Sequence, residues 1–265
     1  MSPAKYRTLT FGVTRATLRD GENGTHYLMA DQALQPFPER LTDRLVHWAR
    51  GRPDQTLFAR RQKNADGSSG DWKHITFAQA LDAARRIGQG LLDRGLSAER
   101  PVLILSENDL EHALLALGCL YAGIPWCPTS PAYSLISQDY DKLKHVIRTL
   151  TPGLVFASDA NRYGRAMLAT LGDDVELLCT EGTVPGRATT SFAALMATNP
   201  TPAIDAAMAA TGPETITKFL FTSGSTKLPK AVINTQRMWC ANQQQMLQSM
   251  PVPVSYTHLR AHETS

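Results

Sequence analysis

Apolar residues recur at helical spacing in two early segments of the chain, residues 41–49 and 77–92. Repeats of three and four residues place apolar side chains on one face of a helix, so both segments predict amphipathic helices. Thr76 precedes the second segment in the position of an N-cap, and Gly95 follows it where a left-handed residue commonly ends a helix. The pattern therefore predicts helix boundaries as well as helices.

Short apolar runs and helical patterns then alternate along the chain. Residues 101–105 are apolar throughout, which is typical of a strand that is covered on both faces. Further strands are predicted at residues 56–62, 73–76, 124–128, 153–157, 175–179, 215–221 and 232–233, and further helices at residues 109–122, 138–150, 192–196 and 235–250. Residues 180–191 and 198–213, rich in Pro, Ala, Thr and Gly, are predicted as loops. This order predicts an α/β fold of mainly parallel sheets flanked by helices.

Composition excludes several classes of protein. The 265 residues are 43% apolar and 19% charged, which is enough to bury a core. The formal net charge is only +3 and Lys and Arg are scattered, so neither nucleic acid nor an acidic membrane is expected as a partner. The four cysteines form no C-x-x-C pair, and neither a signal peptide nor an apolar run of membrane-spanning length is found. A cytoplasmic location without a membrane span is therefore expected.

A loop of small residues follows the strand predicted at residues 215–221 and reads Phe221-Thr-Ser-Gly-Ser-Thr-Lys-Leu-Pro-Lys230. Small side chains let backbone N–H groups approach a phosphate closely, hydroxyls add donors, and lysines add charge. The candidate phosphate-binding residues are Thr222, Ser223, Gly224, Ser225, Thr226, Lys227 and Lys230. A Walker pattern starting at Gly224 would require glycine at position 229, where the chain has Pro229. A plain flexible connection is the alternative interpretation of the same residues.

The loop resembles the phosphate-binding signature of the adenylate-forming superfamily, aromatic-T-S-G-S/T-T-G-x-P-K, and departs from it at Lys227, where most members have glycine. Two earlier segments resemble the same superfamily in the order that it requires. The segment His74-Ile-Thr-Phe-Ala-Gln-Ala-Leu81 is similar to the T-Y-x-E-L start of an early helix. The segment Leu117-Gly-Cys-Leu-Tyr-Ala-Gly-Ile-Pro-Trp-Cys-Pro-Thr-Ser-Pro131 is similar to G-x-x-x-A-G-x-x-x-x-P-x-x-P.

Within the superfamily, residues 130–134, 137–139, 151–156 and 218–238 look most like feruloyl-CoA synthetases. That resemblance implies an acid-thiol ligase that activates an aromatic carboxylate, ferulate or a related hydroxycinnamate, as an acyl-adenylate and passes it to CoA. It implies ATP, Mg²⁺ and CoA as cofactors and co-substrates, with the loop holding the β- and γ-phosphates of ATP. Another adenylate-forming ligase, a fatty acyl-CoA synthetase or an adenylation domain, is the alternative, and so is an inert truncated phosphate-binding fragment.

The resemblance also implies that the chain is the N-terminal part of a longer enzyme. The expected organisation is a polar lead (residues 1–35), a partial AMP-binding domain (36–253) and a tail that resembles a translated sequencing adaptor (254–265). Because the downstream segments of the superfamily are not found, no catalytic residue is assigned. No metal site is expected, since His258 and His262 lack the glutamate of an H-E-x-x-H helix. The remaining lone histidines are expected to be surface or internally satisfied residues: His47, His74, His112 and His145.

Overall fold

The computed structural model of the protein describes residues 11–12, 15–64, 66–222 and 228–250. The chain divides into two compact units, one formed by Met1–Pro38 with Met238–Ser265 and the other by Glu39–Arg237. Within the described ranges no helix is both long enough and apolar enough to cross a membrane.

The elements of the described residues are numbered in chain order. The strands are β1 (Ala16–Asp20), β2 (His26–Ala30), β3 (Thr56–Lys63), β4 (Ser69–Thr76), β5 (Val102–Leu105), β6 (Trp126–Pro128), β7 (Leu154–Asp159), β8 (Glu176–Glu181), β9 (Thr189–Ser191), β10 (Ile216–Thr222) and β11 (Lys230–Thr235). The helices are α1 (Leu41–Gly51), α2 (Phe77–Asp93), α3 (Leu110–Ala122), α4 (Ala132–Leu135), α5 (Asp141–Leu150), α6 (Ala160–Thr170), α7 (Phe192–Met196), α8 (Pro202–Ala210) and α9 (Gln236–Ser249). A single 3₁₀ turn covers Glu22–Gly24.

A seven-stranded sheet forms the centre of the larger unit, with the strand order β11-β10-β6-β5-β7-β8-β9. The six strands from β10 to β9 are parallel to their neighbours, and β11 alone runs antiparallel to β10. Parallel strands need crossover connections, and helices supply most of them here. The predicted α/β fold with a mainly parallel sheet is confirmed.

Side chains of the central strands alternate between two apolar cores, one on each face of the sheet. Val102 and Ile104 of β5 pack into the core that holds α2, α3, α7 and α8. Leu103 and Leu105 pack into the core that holds α5 and α6. All four residues are at most 1% exposed. The prediction that residues 101–105 form a strand covered on both faces is therefore confirmed.

Helix α2 has the boundaries that its sequence predicts. The Thr76 hydroxyl accepts a hydrogen bond from the backbone N–H of Gln79, whose side chain in turn accepts one from the backbone N–H of Thr76. This capping box satisfies two donors that the first turn of a helix leaves unpaired. Gly95, just past the end of the helix, has a φ of 64°. The N-cap and the left-handed glycine are thus both confirmed.

The smaller unit contains a β-hairpin within the predicted polar lead. Strands β1 and β2 pair antiparallel with Leu18 opposite Leu28. The following segment contacts α9, because the backbone N–H of Gln35 donates to the side-chain oxygen of Gln248 at 2.8 Å. The Gln248 amide also donates to the carbonyl oxygen of Ala33 at 3.2 Å. The boundaries at residues 36 and 254 stay predictions, and the suspected tail lies outside the described residues.

Two segments that were predicted as loops form regular structure. Within residues 198–213, Pro202–Ala210 is the helix α8, which Thr201 caps by accepting a hydrogen bond from the backbone N–H of Ala203. Proline is well placed at the first helical position because its missing N–H would have no partner there, and alanine has the highest helix propensity. Within residues 180–191, Thr189–Ser191 adds the edge strand β9. Helices α4 and α6 had no predicted counterpart.

Candidate functional site

The candidate phosphate-binding residues lie at the turn between β10 and β11. Residues 222–230 are called the phosphate loop below. The two strands pair antiparallel with Thr222 opposite Lys230, so the structure brings these two candidate residues together where the loop begins and ends. The Thr222 hydroxyl also donates to the carbonyl oxygen of Lys230 at 3.5 Å. The other five candidates lie outside the described residues: Ser223, Gly224, Ser225, Thr226 and Lys227.

The parallel part of the sheet determines where the phosphate loop opens. Strand β10 runs parallel to β6, and β6 runs parallel to β5. The carboxyl end of β10, where the loop begins, therefore points to the same edge of the sheet as the carboxyl ends of β5 and β6. Ligands of open α/β sheets bind outside the carboxyl ends of the strands. The described ends of the loop, Thr222 and Lys230, thus lie at the edge at which a site is expected on topological grounds.

The two strands that carry the phosphate loop are fixed by contacts with the rest of the sheet. The aromatic rings of Phe219 and Phe221 pack against the core that holds α5 and α6. The Thr217 hydroxyl donates to the carbonyl oxygen of Asn234 across the hairpin at 2.8 Å. The Lys218 ammonium lies 5.3 Å from the centre of the Trp126 ring, and burial lowers the pKa of Lys218. Contacts on both faces of the sheet therefore anchor the hairpin that carries the loop.

A second polar group follows β5 at the same edge of the sheet. The side chain of Ser106 donates to the carbonyl oxygen of Glu107 at 3.0 Å and lies 2.8 Å from Nδ1 of His112. Burial is the main cause that lowers the pKa of His112 below its ordinary value, so the imidazole is uncharged at neutral pH. Its ring stands edge-on to Trp126 with the ring centres 5.7 Å apart. His112 is thus an internally satisfied histidine, as its isolated position in the sequence predicts.

Carboxylates near this edge are matched by arginines. Glu107 pairs with Arg162 at 3.1 Å, and that hydrogen bond is the main cause that lowers the pKa of Glu107. Asp109 pairs with Arg60. Among the residues that the structure describes, no group of three His, Cys, Asp or Glu side chains could hold a metal ion. The described polar groups at the loop, the Thr222 hydroxyl and the Lys230 ammonium, are donors that suit phosphate oxygens.

One contact to the phosphate loop was not predicted from the sequence. Nε2 of His145, on α5, lies 2.9 Å from the carbonyl oxygen of Pro229. The two residues are 84 positions apart in the chain. His145 was expected to be a surface or internally satisfied histidine, and the structure gives it a partner within the loop. No local pattern of residues could have indicated this pairing.

The β10–β11 hairpin and the parallel strands beside it define an α/β protein, in which the carboxyl edge of the sheet is the expected place for a ligand. The sequence model of the family described as AMP-binding enzyme matches residues 45–260. Because that match spans most of the chain, the protein belongs to the AMP-binding enzyme family. The resemblance to the adenylate-forming superfamily is confirmed at this level.

Individual relatives are more distant. Apicidin F synthase of Gibberella fujikuroi is 26% identical over 173 residues, which are 64% of this chain and 3% of the synthase. A fatty acyl-adenylate ligase from L. pneumophila, solved with acyl adenylate and pyrophosphate, is 19% identical with a TM-score of 0.56, over 78% of this chain and 32% of the ligase. The adenylation domain of a keto acid-selecting NRPS module, solved with keto acyl adenylate, is 18% identical with a TM-score of 0.60, over 82% of this chain and 35% of that chain. The solved structures establish a shared fold, and this chain spans about a third of their length.

Proposed function

We propose that this chain forms the phosphate-binding part of a ligase that activates a carboxylate with ATP. The observation that carries the proposal is the position of the phosphate loop. Thr222 and Lys230 stand opposite each other on the carboxyl side of a parallel sheet, in a chain of the AMP-binding family. Hydroxyl, backbone N–H and ammonium groups in one short loop suit the oxygens of a polyphosphate.

The proposed chemistry follows from the poor reactivity of a carboxylate, whose own oxygen is a poor leaving group. In the first step a carboxylate oxygen attacks the α-phosphorus of ATP, and the bond from that phosphorus to the bridging oxygen breaks. The bridging oxygen keeps the electron pair and leaves as part of pyrophosphate. Lys227 and Lys230, with the hydroxyls of the loop and the backbone at Gly224, would hold the β- and γ-phosphates and stabilise the charge that develops there. In the second step a thiolate attacks the acyl carbon and AMP leaves.

The acid and the thiol are the finer part of the proposal. Ferulate or a related hydroxycinnamate, with CoA as the thiol, is supported by the resemblance of residues 130–134 and 218–238 to feruloyl-CoA synthetases. A fatty acid or a keto acid is the second candidate, because a fatty acyl-adenylate ligase and a keto acid-selecting adenylation domain share the fold. The cytoplasmic location stays a prediction from cysteine usage.

The experiment is a pyrophosphate–ATP exchange assay on the protein encoded by the complete gene, run in parallel with the 265-residue chain. Labelled pyrophosphate enters ATP only when an acid forms an adenylate reversibly, so each acid is scored separately from the thiol. Ferulate, coumarate, dodecanoate, a keto acid and an amino acid form the panel. Exchange that depends on hydroxycinnamates supports the full proposal. Exchange with another acid keeps the adenylation step and replaces the substrate, and no exchange with any acid contradicts the proposal.

Variants connect the assay to the phosphate loop. Lys230→Ala is expected to lower kcat/KM for ATP by about ten-fold or more, since one lost charge-assisted donor to a developing anion has effects of that order or larger. The KM for the carboxylate is expected to stay unchanged. Lys63→Ala removes an exposed lysine from β3 and is the matched control. Equal loss of activity in both variants would assign the effect to net charge and not to the loop.

A further inference from the structure

His145 contacts the phosphate loop near both of its ends. Near the end that leads into β11, Nε2 of His145 lies 2.9 Å from the carbonyl oxygen of Pro229. Near the end that follows β10, the imidazole stands edge-on to the ring of Phe221, with the ring centres 6.2 Å apart and the planes at 85°. A carbonyl oxygen only accepts hydrogen bonds, so Nε2 of His145 carries the proton and donates. One side chain therefore touches the residues on either side of the candidate phosphate-binding stretch.

Pro229 is the buried residue at the end of the loop and lies directly before Lys230. It is buried, whereas Leu228 before it and Lys230 after it are exposed. Proline has no N–H and cannot donate to the strand ladder, so its carbonyl oxygen is the one backbone group through which Pro229 can be held. Removing the partner of a carbonyl at a buried position leaves that group unsatisfied. The hydrogen bond from His145 therefore fixes the buried residue next to Lys230.

Helix α5 holds His145 in a defined place. Leu143 and Val146, the residues two before and one after His145, are 0% exposed and belong to the core that covers β5 and β7. Phe221 is partly buried and packs against the same core. The imidazole thus projects from a helix that is anchored by fully buried side chains.

We propose that His145 is a positioning residue for the phosphate loop, which it holds by a hydrogen bond to Pro229 and an edge contact with Phe221. The inference rests on the proposed function, because it gives His145 a role in binding the β- and γ-phosphates. His145 acts through the loop and not on the nucleotide itself. By holding Pro229 in place, His145 reduces the conformational entropy that the neighbouring Lys230 loses when a polyphosphate binds.

The test compares three substitutions at one position. His145→Gln keeps a donor nitrogen at about the reach of Nε2, His145→Asn keeps an amide that is too short, and His145→Ala removes the donor. Arg148→Ala, at an exposed position on the same helix, is the control for a lost side chain on α5. The dissociation constants of Mg·ATP and of inorganic pyrophosphate are measured by titration calorimetry on the 265-residue chain. The unliganded melting temperature of each variant is recorded alongside.

The expected result is a rise of about three- to ten-fold in both dissociation constants for the Ala and Asn variants, which is the size of one net hydrogen bond. The dissociation constants of the His145→Gln variant and of the Arg148→Ala control are expected to stay within about two-fold of the wild-type values. If the Ala variant fails to fold, the Asn and Gln pair decides the question alone. A lowered melting temperature with unchanged dissociation constants would overturn the inference and leave His145 a structural residue. A wild-type chain that binds neither probe would instead overturn the proposed function, and the inference with it.

Discussion

Gly118 of α3 lies against Ile87 and Gly88 of α2, and its replacement by alanine tests this packing. A Cβ added at position 118 would lie 2.3 Å from Cγ2 and 2.7 Å from Cβ of Ile87. It would also lie 3.2 Å from the backbone nitrogen of Gly88. Non-bonded carbon atoms prefer separations of about 3.5–4.0 Å, so the overlap with Ile87 is about 1 Å or more. Ile87 is 0% exposed and cannot turn outward to relieve it.

The size and sign of the effect follow from this geometry. Overpacking a dense core costs about 1–3 kcal/mol of unfolding free energy. For a unit of this length each kcal/mol shifts the melting temperature by about 2–4 °C. Gly118→Ala is therefore expected to lower the melting temperature by about 2–12 °C. Alanine in an uncrowded helix interior instead stabilises by up to about 1 kcal/mol relative to glycine, so the close packing reverses the sign.

The assay is thermal and urea unfolding followed by circular dichroism. Gly51→Ala at the end of α1, where an added Cβ meets nothing within 4 Å, is the control and is expected to be neutral or stabilising. Ile87→Ala alone is expected to cost about 2–5 kcal/mol. The double variant is expected to be more stable than the sum of the single effects, because the added methyl group fills part of the space that Ile87 leaves. A Gly118→Ala variant as stable as the wild type, with additive effects in the double variant, would refute the packing of α2 on α3.

Three further predictions test other parts of the structure. Thr76→Ala removes the hydroxyl of the capping box and is expected to lower the unfolding free energy by about 1 kcal/mol, measured by urea titration. The hydrogen bond from Arg85 is the main cause that lowers the pKa of Asp205. The wild type is therefore expected to be more stable than Asp205→Asn above about pH 4, and this advantage is expected to disappear as the pH falls through the folded-state pKa of Asp205. Unfolding measured at a series of pH values checks this. Burial raises the pKa of Cys127 to about 12 and that of Cys179 to about 11. Both thiols are therefore expected to resist alkylation at pH 8 in the folded protein and to react after denaturation, and mass spectrometry counts the adducts.

The fold was predictable where local chemistry and tertiary structure agree. Thr76 and Gly95 are a cap and a stop that few other positions in a chain can use, and both act as the sequence predicts. The continuous apolar run at β5 is buried because the sheet is covered on both faces. These signals are local, and the tertiary structure reinforces each of them.

The missed helices carry weaker signals. Helix α6 contains Gly164, a residue of low helix propensity, in its interior, so its composition did not favour a helix. Helix α8 buries only Ile204 among its residues. The segment was predicted as a loop because it is rich in Pro, Thr and Ala. Thr201 as N-cap followed by Pro202 at the first helical position is nevertheless a pattern that indicates a helix start.

The candidate site was predictable to a different extent for each residue. The composition of the phosphate loop indicated Thr222 and Lys230, and the sheet brings these two together. The contact of His145 with Pro229 joins positions 84 residues apart, and it arises because α5 and the phenylalanine side chains of β10 meet at the same apolar core. A sequence shows which residues could bind a phosphate, but not which distant residue holds them in place.

The most direct test of the account is to identify the lysine that lies beside the triphosphate of bound ATP. An ATP analogue with an acyl group on its γ-phosphate transfers that group to a nearby lysine amine, and peptide mass spectrometry then locates the label. The label is expected on Lys227 or Lys230 and is expected to be reduced by excess Mg·ATP. A label that is spread over exposed lysines elsewhere, with no protection by Mg·ATP, would contradict the claim that the phosphate loop binds the nucleotide.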